Sequence, residues 1–458
     1  MVERASFLIP CEFLACAFCG TLKDVMAHRF WKNHGQVGFI LLVGGLAISF
    51  LVVVFLLVWM VIAAPSYVAE HAPLDVLSPV TVTDSISGIA VSTNAELESM
   101  LAEVRREQAR IATPKTVKGI YLSSGNFGNT AVREELLSMI ERTELNTAVV
   151  DLKNFGGSVA YDSMVPEVIR LATKQVRITN LAERIYEFHA QGVYMIARIP
   201  VFQDSVLAAA LPEEAVHFAD GSLWRDHAGN AWLDPASQHV WAYNIALAQE
   251  AYQLGFDEIN FDYIRFISDG PVSLAIYPRW DQGVQTRNDV LREFFASMYD
   301  QLHPLGVVTS ADFFGMVLLQ EDGMSIGQHL ADAAPYVDYI APMVYPSHYP
   351  DMFWGYPNPA LYPYEIIYGS LKEGTDILEK QSLLAASTTV DGQATIQLSR
   401  EQLARQFRPW IQDFDLGAVY TPDMIRKELQ AAYDAHSSGW VLWNSRNVYT
   451  EDALGKQE

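Results

Sequence analysis

Cysteine is nearly absent: the 458 residues carry only Cys11, Cys16 and Cys19, and none follows. Anything folded downstream of residue 19 therefore holds together without disulfides. The C-x4-C-x2-C spacing, even with His28 and His34 behind it, matches no standard zinc finger, and neither H-x-H nor H-E-x-x-H occurs. No metal and no cofactor is expected. Positive charge is scarce too. Thirty-one Lys and Arg stand against 54 Asp and Glu, a net charge of −23. So acidic a surface repels phosphate backbones, which excludes nucleic acid as an expected partner and suits neutral or cationic substrates better. A nucleotide-binding fingerprint is also missing, because "SSGNFGN" lacks the G-x-G-x-x-G spacing. What the chain has instead is apolar residues, 50% of the total. That excludes a disordered chain and suits one large domain plus extra segments.

Charge disappears altogether from Val37 to Ala63, "VGFILLVGGLAISFLVVVFLLVWMVIA", a run of 27 residues. About 20 span a bilayer, so a single transmembrane helix is expected at 37–63. Arg4, Lys23, Arg29 and Lys32 precede it, whereas no Lys or Arg occurs between Ala64 and Val104. The positive-inside rule then puts residues 1–36 in the cytoplasm and the rest outside, in the extracellular or periplasmic space. Residues 64–116 read as a linker or stalk with one short helix, in which Asn94 is the cap and Leu97, Leu101 and Val104 share a face.

From residue 117 to 452 short β-branched or aromatic runs alternate with amphipathic stretches. The strands are expected at 118–123, 147–153, 193–202, 256–266, 307–315, 337–346, 407–414 and 439–445. Helical patterns such as "QHVWAYNIALAQEAYQLG" lie between them, several ending in glycine. Eight β/α units predict an α/β fold of the (β/α)8 TIM-barrel type, preceded by the transmembrane helix and stalk.

In such a barrel the chemistry sits at the C-terminal ends of the strands. "FDEINFDYIRF" places Glu258, Asn260 and Asp262 on the parity facing the barrel axis, where buried acids need partners; Lys153, Arg198 and Arg265 are the candidates. Glu258 and Asn260 read as buried support, Asp262 as functional. Glycoside hydrolysis uses two carboxyl groups, one as acid and one as nucleophile or base. Asp262 and Asp312, ending neighbouring strands, are the catalytic candidates, with Asp151 as a third acid nearby. Further substrate-binding candidates are the strand-end residues Gln412, Trp443 and Asn444 and the aromatic segment after strand 6, with Tyr345 and His348. Trp224, Arg225 and Asp226 in "FADGSLWRDHAGNAWLDP" form another wall. The expected partner is a polysaccharide or oligosaccharide. A glycan-binding barrel without catalysis, or an envelope scaffold, is the alternative.

The blocks "ELNTAVVDLKNFGGSVAYDS", "GVYMIARIPVFQDSVLA", "LGFDEINFDYIRFISDG", "TSADFFGM", "VDYIAPMVYPSHYP" and "GWVLWNSRNVY" together resemble a bacterial glycoside hydrolase family formerly catalogued as a domain of unknown function. The resemblance covers about residues 117–450. It implies a TIM-type barrel, usually exported or membrane-anchored, acting on carbohydrate. "FDYIRF" is similar to the family's strand-4 signature and places one acid at Asp262; "SADFFG" is similar to its strand-5 signature and places the second at Asp312.

Overall fold

The computed structural model describes residues 110–388 and 398–456. The apolar run at 37–63 expected to span a membrane, residues 1–36 before it and nearly all of the expected stalk lie outside them; among the described residues no helix is long and apolar enough to cross a membrane.

Among the described residues ten strands form, eight of which close a parallel barrel. They are β1 (Val117–Leu122), β2 (Thr147–Asp151), β5 (Tyr194–Pro200), β6 (Glu258–Asp262), β7 (Val308–Phe314), β8 (Tyr339–Met343), β9 (Trp410–Gln412) and β10 (Gly439–Trp443). Their order around the barrel is β1-β10-β9-β8-β7-β6-β5-β2, so each strand pairs with its sequence neighbour in the barrel and the last closes on the first. All eight fall within the runs that alternation picks out, the single exception being Val117, one residue early. The other two strands, β3 (Val159–Tyr161) and β4 (Lys174–Ile178), pair outside the barrel in an excursion between β2 and β5. Neither was legible in advance: β3 has only three residues, and three of the five residues of β4 are solvent-exposed, so no inward face marks it.

Helices at Gln238–Leu254, Arg287–Leu302 and Pro422–Asp434 flank the barrel, each opened by a Ser or Thr whose hydroxyl accepts a backbone N–H. The first ends at Gly255, whose φ of +120° reverses the chain into β6, a conformation that side chains disfavour.

Two apolar layers result. Residues of outward parity, such as Ile259 and Phe261, pack under the helices; Val117, Tyr121, Val149, Tyr194, Ile196, Trp410 and Val441 form a smaller cluster within the barrel. Beside that cluster, at the N-terminal end of β6, Glu258 is fully buried and receives Arg408 Nη1 at 2.7 Å on both carboxylate oxygens, and Tyr194 Oη at 3.0 Å on Oε2. Arg408 also stacks 3.7 Å from the Tyr339 ring centroid. Glu258 is thus an ion-paired support deep in the barrel, out of reach of substrate.

Candidate active site

The mouth of the barrel is organised by one guanidinium. Arg198 faces Asp151 across β2 and Asn260 across β6, and its three nitrogens each find a different carboxylate. Nη1 donates to Asp151 at 2.6 Å, Nη2 to Asp262, and Nε lies 3.4 Å from Asp312. Burial alone would favour losing its proton, but Asp262, Asp151 and Asp312 hold its pKa above the ordinary arginine value.

Each acid is then differentiated by its remaining contacts. Asp151 Oδ2 accepts the Tyr121 hydroxyl at 2.6 Å, so both its oxygens accept; burial still lifts its pKa against Arg198 and Tyr121. Asp262 likewise uses both oxygens as acceptors, Oδ2 from Arg198 and Oδ1 from the Tyr263 N–H at 2.5 Å. Both oxygens of Asp262 thus face donors. Asp312 is arranged otherwise. Its Oδ1 takes two N–H donors, Trp410 Nε1 at 2.7 Å and Asn260 Nδ2 at 2.8 Å, while Oδ2 has only the long Arg198 contact. A proton on Asp312 therefore sits on Oδ2. Burial, and next the neighbouring Asp262 charge, push its pKa well above the ordinary carboxylate range, against the pull of Arg198, Trp410 and Asn260. Three acids share one cation, and among them Asp312 is the one whose pKa is pushed well above the ordinary range, with Asp151 raised less.

Asp262 ends β6 and Asp312 lies on the neighbouring β7, two residues before its end; each stands one position beyond the last residues paired between these strands, Phe261 and Ala311. Immediately after Asp262 the chain enters the left-handed region at Tyr263, φ +53°. For a residue other than glycine this costs about 1–3 kcal/mol, and such strain is concentrated at functional sites.

Above the acids opens a cleft of about 460 Å³ whose lining includes Arg198, Asp262, Arg265, Asp312, Tyr345 and Trp443, all singled out from the sequence, together with Asp226. Trp443 stacks on Tyr121 at 4.1 Å and Arg198 lies 5.3 Å from the Trp443 ring. Asn260 acts from below through Asp312.

The remaining candidates do not line the cleft. Lys153 is fully buried and pairs with Asp204 at 2.8 Å and Asn244 Oδ1 at 2.8 Å; burial pulls its pKa down despite Asp204. It ties β2 to the helix behind. Trp224 is also fully buried, donating its indole N–H to the Pro271 carbonyl at 3.1 Å, and Arg225 points to the Gly229 carbonyl at 2.7 Å in an exposed hairpin. Gln412 turns back to Ser347 Oγ (2.8 Å) and the Phe414 carbonyl (2.9 Å), and Asn444 braces the Asp413 carbonyl. His348 sits beside Tyr345, ring to ring at 5.2 Å, outside the cleft lining; burial lowers its pKa. Most other aromatics of the segment after β8 pack together, as Tyr356 on Tyr362 at 4.4 Å.

Sequence reasoning missed Trp410, which holds Asp312, and Gln328, which is buried and donates to the Asp312 carbonyl at 3.0 Å. Trp410 shares the inward parity of Arg408 and Gln412, a signal present in "FRPWIQDF". Gln328 lies outside the strands and carried none.

Among solved structures, a hypothetical protein from Ruminiclostridium thermocellum ATCC 27405 is 35% identical over 42% of this chain and 96% of its own, with a TM-score of 0.39. The PgaB (BpsB) glycoside hydrolase domain of Bordetella bronchiseptica is 12% identical over 72% of this chain and 94% of its own, TM-score 0.49. The PelA glycoside hydrolase domain of Pseudomonas aeruginosa is 12% identical over 75% and 98%, TM-score 0.38. No curated protein matches. The family model described as "Putative glycosyl hydrolase domain" matches residues 119–449, from within β1 to beyond β10. The chain belongs to that family, and the residues matched are those of the barrel whose mouth gathers Asp151, Asp262 and Asp312 around Arg198.

Proposed function

We propose that the protein cleaves a glycosidic bond in an extracellular or cell-envelope polysaccharide, anchored through residues 37–63 with the barrel outside the cytoplasm. Asp312 Oδ2 gives its proton to the leaving oxygen, and Asp262 attacks the anomeric carbon or serves as base. Facing positions on neighbouring strands lie about 5 Å apart, which suits the roughly 5–5.5 Å carboxyl spacing of retaining enzymes and favours Asp262 as nucleophile. Arg198 and Asp151 set the charge of the pair, while Tyr345 and Trp443 offer ring faces to the sugar. The observation that carries this reading is the division of labour between the acids: Asp262 accepts at both oxygens, whereas Asp312 Oδ2 has only the long Arg198 contact and the Asp312 pKa is raised. A glycan-binding barrel without turnover is the second reading, favoured by the direct Arg198–Asp262 ion pair, which ties up the proposed nucleophile.

The pH–rate profile tests the proton donor. Because Asp312 must be protonated to act, kcat/KM falls as pH rises through its raised pKa. The Trp410 N–H stabilises the carboxylate form, so Trp410→Phe moves this basic limb to higher pH. A limb that stays in place in the variant contradicts the assignment of the proton to Asp312.

A further inference from the structure

Four arginines of the described residues are at most 7% exposed: Arg133, Arg198, Arg265 and Arg408. Arg133 meets Glu187 at 3.0 Å, Arg198 its three aspartates and Arg408 Glu258 at 2.7 Å. Arg265 reaches no carboxylate within ion-pair distance among the described residues. Its position is nevertheless fixed. The guanidinium carbon lies 4.5 Å from the Trp232 ring centroid and 4.6 Å from that of Phe314, and Nη1 donates to the Phe266 carbonyl at 3.1 Å and Ser268 Oγ at 2.9 Å. The Nε–Nη2 edge is left without a protein acceptor among the described residues, on a side chain that lines the same cleft as Asp262 and Asp312.

The acids of that wall do not supply the missing partner. Asp226 spends both oxygens on Asn230 and the Trp232 indole N–H, Asp269 stays exposed beyond ion-pair reach, and Asp262 is engaged by Arg198. Burial accordingly draws the Arg265 pKa below the ordinary value, although Asp262 works against this. A buried cation without a counter-charge is costly, and a rigid planar fork is shaped for a two-oxygen anion.

We propose that the free edge of Arg265 receives the carboxylate of a uronic acid residue, so that the substrate of this cleft is an acidic polysaccharide with a uronate beside the scissile bond. The inference rests on the glycosidase reading of the site. The chain's net charge of −23 repels a polyanion at a distance, but salt screens that repulsion beyond about 10 Å at 0.1 M, and contact chemistry within the cleft decides specificity.

The test compares uronate-bearing oligosaccharides with their carboxyl-reduced counterparts, which share linkage and shape but carry a neutral CH2OH. The wild-type protein is expected to prefer the acid form by about tenfold or more in kcat/KM, the range of one charge-assisted contact. Arg265→Gln is expected to bring that ratio close to one, with Arg265→Lys between them. Calorimetry with methyl glucuronoside against methyl glucoside reads the same preference without turnover, and a melting curve of each variant confirms folding. Equal or better handling of the reduced sugars by the wild-type protein, or a preference that survives in Arg265→Gln, overturns the proposal. Cleavage of neutral glycans alone overturns it and leaves the glycosidase reading standing. If no glycan is cleaved yet the glucuronoside binds through Arg265, the glycosidase reading fails instead.

Discussion

Asp312→Asn is expected to slow cleavage of an unactivated glycosidic bond by about 10²–10⁴-fold, the usual contribution of a positioned general acid. The substitution is close to isosteric. The amide oxygen can still accept from Trp410 and Asn260, so the barrel mouth keeps its shape and the loss is chemical. Its amide nitrogen takes the place of Oδ2, where the transferable proton sat. A dinitrophenyl glycoside of the same sugar has a leaving group that departs without protonation, and its first cleavage step should run close to the wild-type rate. The basic limb of the pH–rate profile should vanish with that substrate. Equal losses on both substrates would mean that Asp312 acts by holding the site together and donates no proton.

The largest effect on stability is expected from Arg408→Met. Glu258 at the base of β6 is fully buried, and Arg408 supplies its counter-charge; removing one partner of such a pair costs about 3–5 kcal/mol. The double variant Glu258→Gln/Arg408→Met removes both charges and should recover most of the loss, since two neutral side chains leave no uncompensated ion. Chemical denaturation of wild type, single and double variants reads all of this. A single variant no less stable than the double would show that the pair carries little of the barrel's base.

The barrel was legible because its signals are local. "TAVVD" and "GWVLW" are short β-prone runs, helices separate them, and glycines such as Gly255 mark the returns. The polar parity of β6 was legible for the same reason: Glu258, Asn260 and Asp262 stand where a packed barrel interior would otherwise place aliphatic residues. Which polar residue meets which lay beyond local reading. Lys153 follows β2 and looks like a mouth residue, yet its partner Asp204 comes after β5, some fifty positions on, and draws it out of the cleft. Trp224 had the composition of a sugar platform, but the loop folds over it and the Pro271 carbonyl takes its N–H. Gln412 ends β9, and the Ser347 hydroxyl claims its amide oxygen. Trp410 carries its signal only in inward parity, on a short strand whose polar residues Gln412 and Asp413 end the run. Its indole N–H is half of what determines which Asp312 oxygen bears the proton.

The central claim is that Asp262 and Asp312 act on one glycosidic bond, and Asp262→Asn tests it most directly. The purified wild-type protein and this variant are incubated with cell-wall and capsular glycans, acidic and neutral, with products followed by mass and reducing ends and binding followed by calorimetry. The account predicts new reducing ends from at least one glycan with the wild-type protein, a loss of about 10³-fold or more in the variant, and continued binding of the same glycan. Binding that is equal in both proteins, with no new reducing ends from either on any glycan, would contradict it and make the barrel a glycan-binding module.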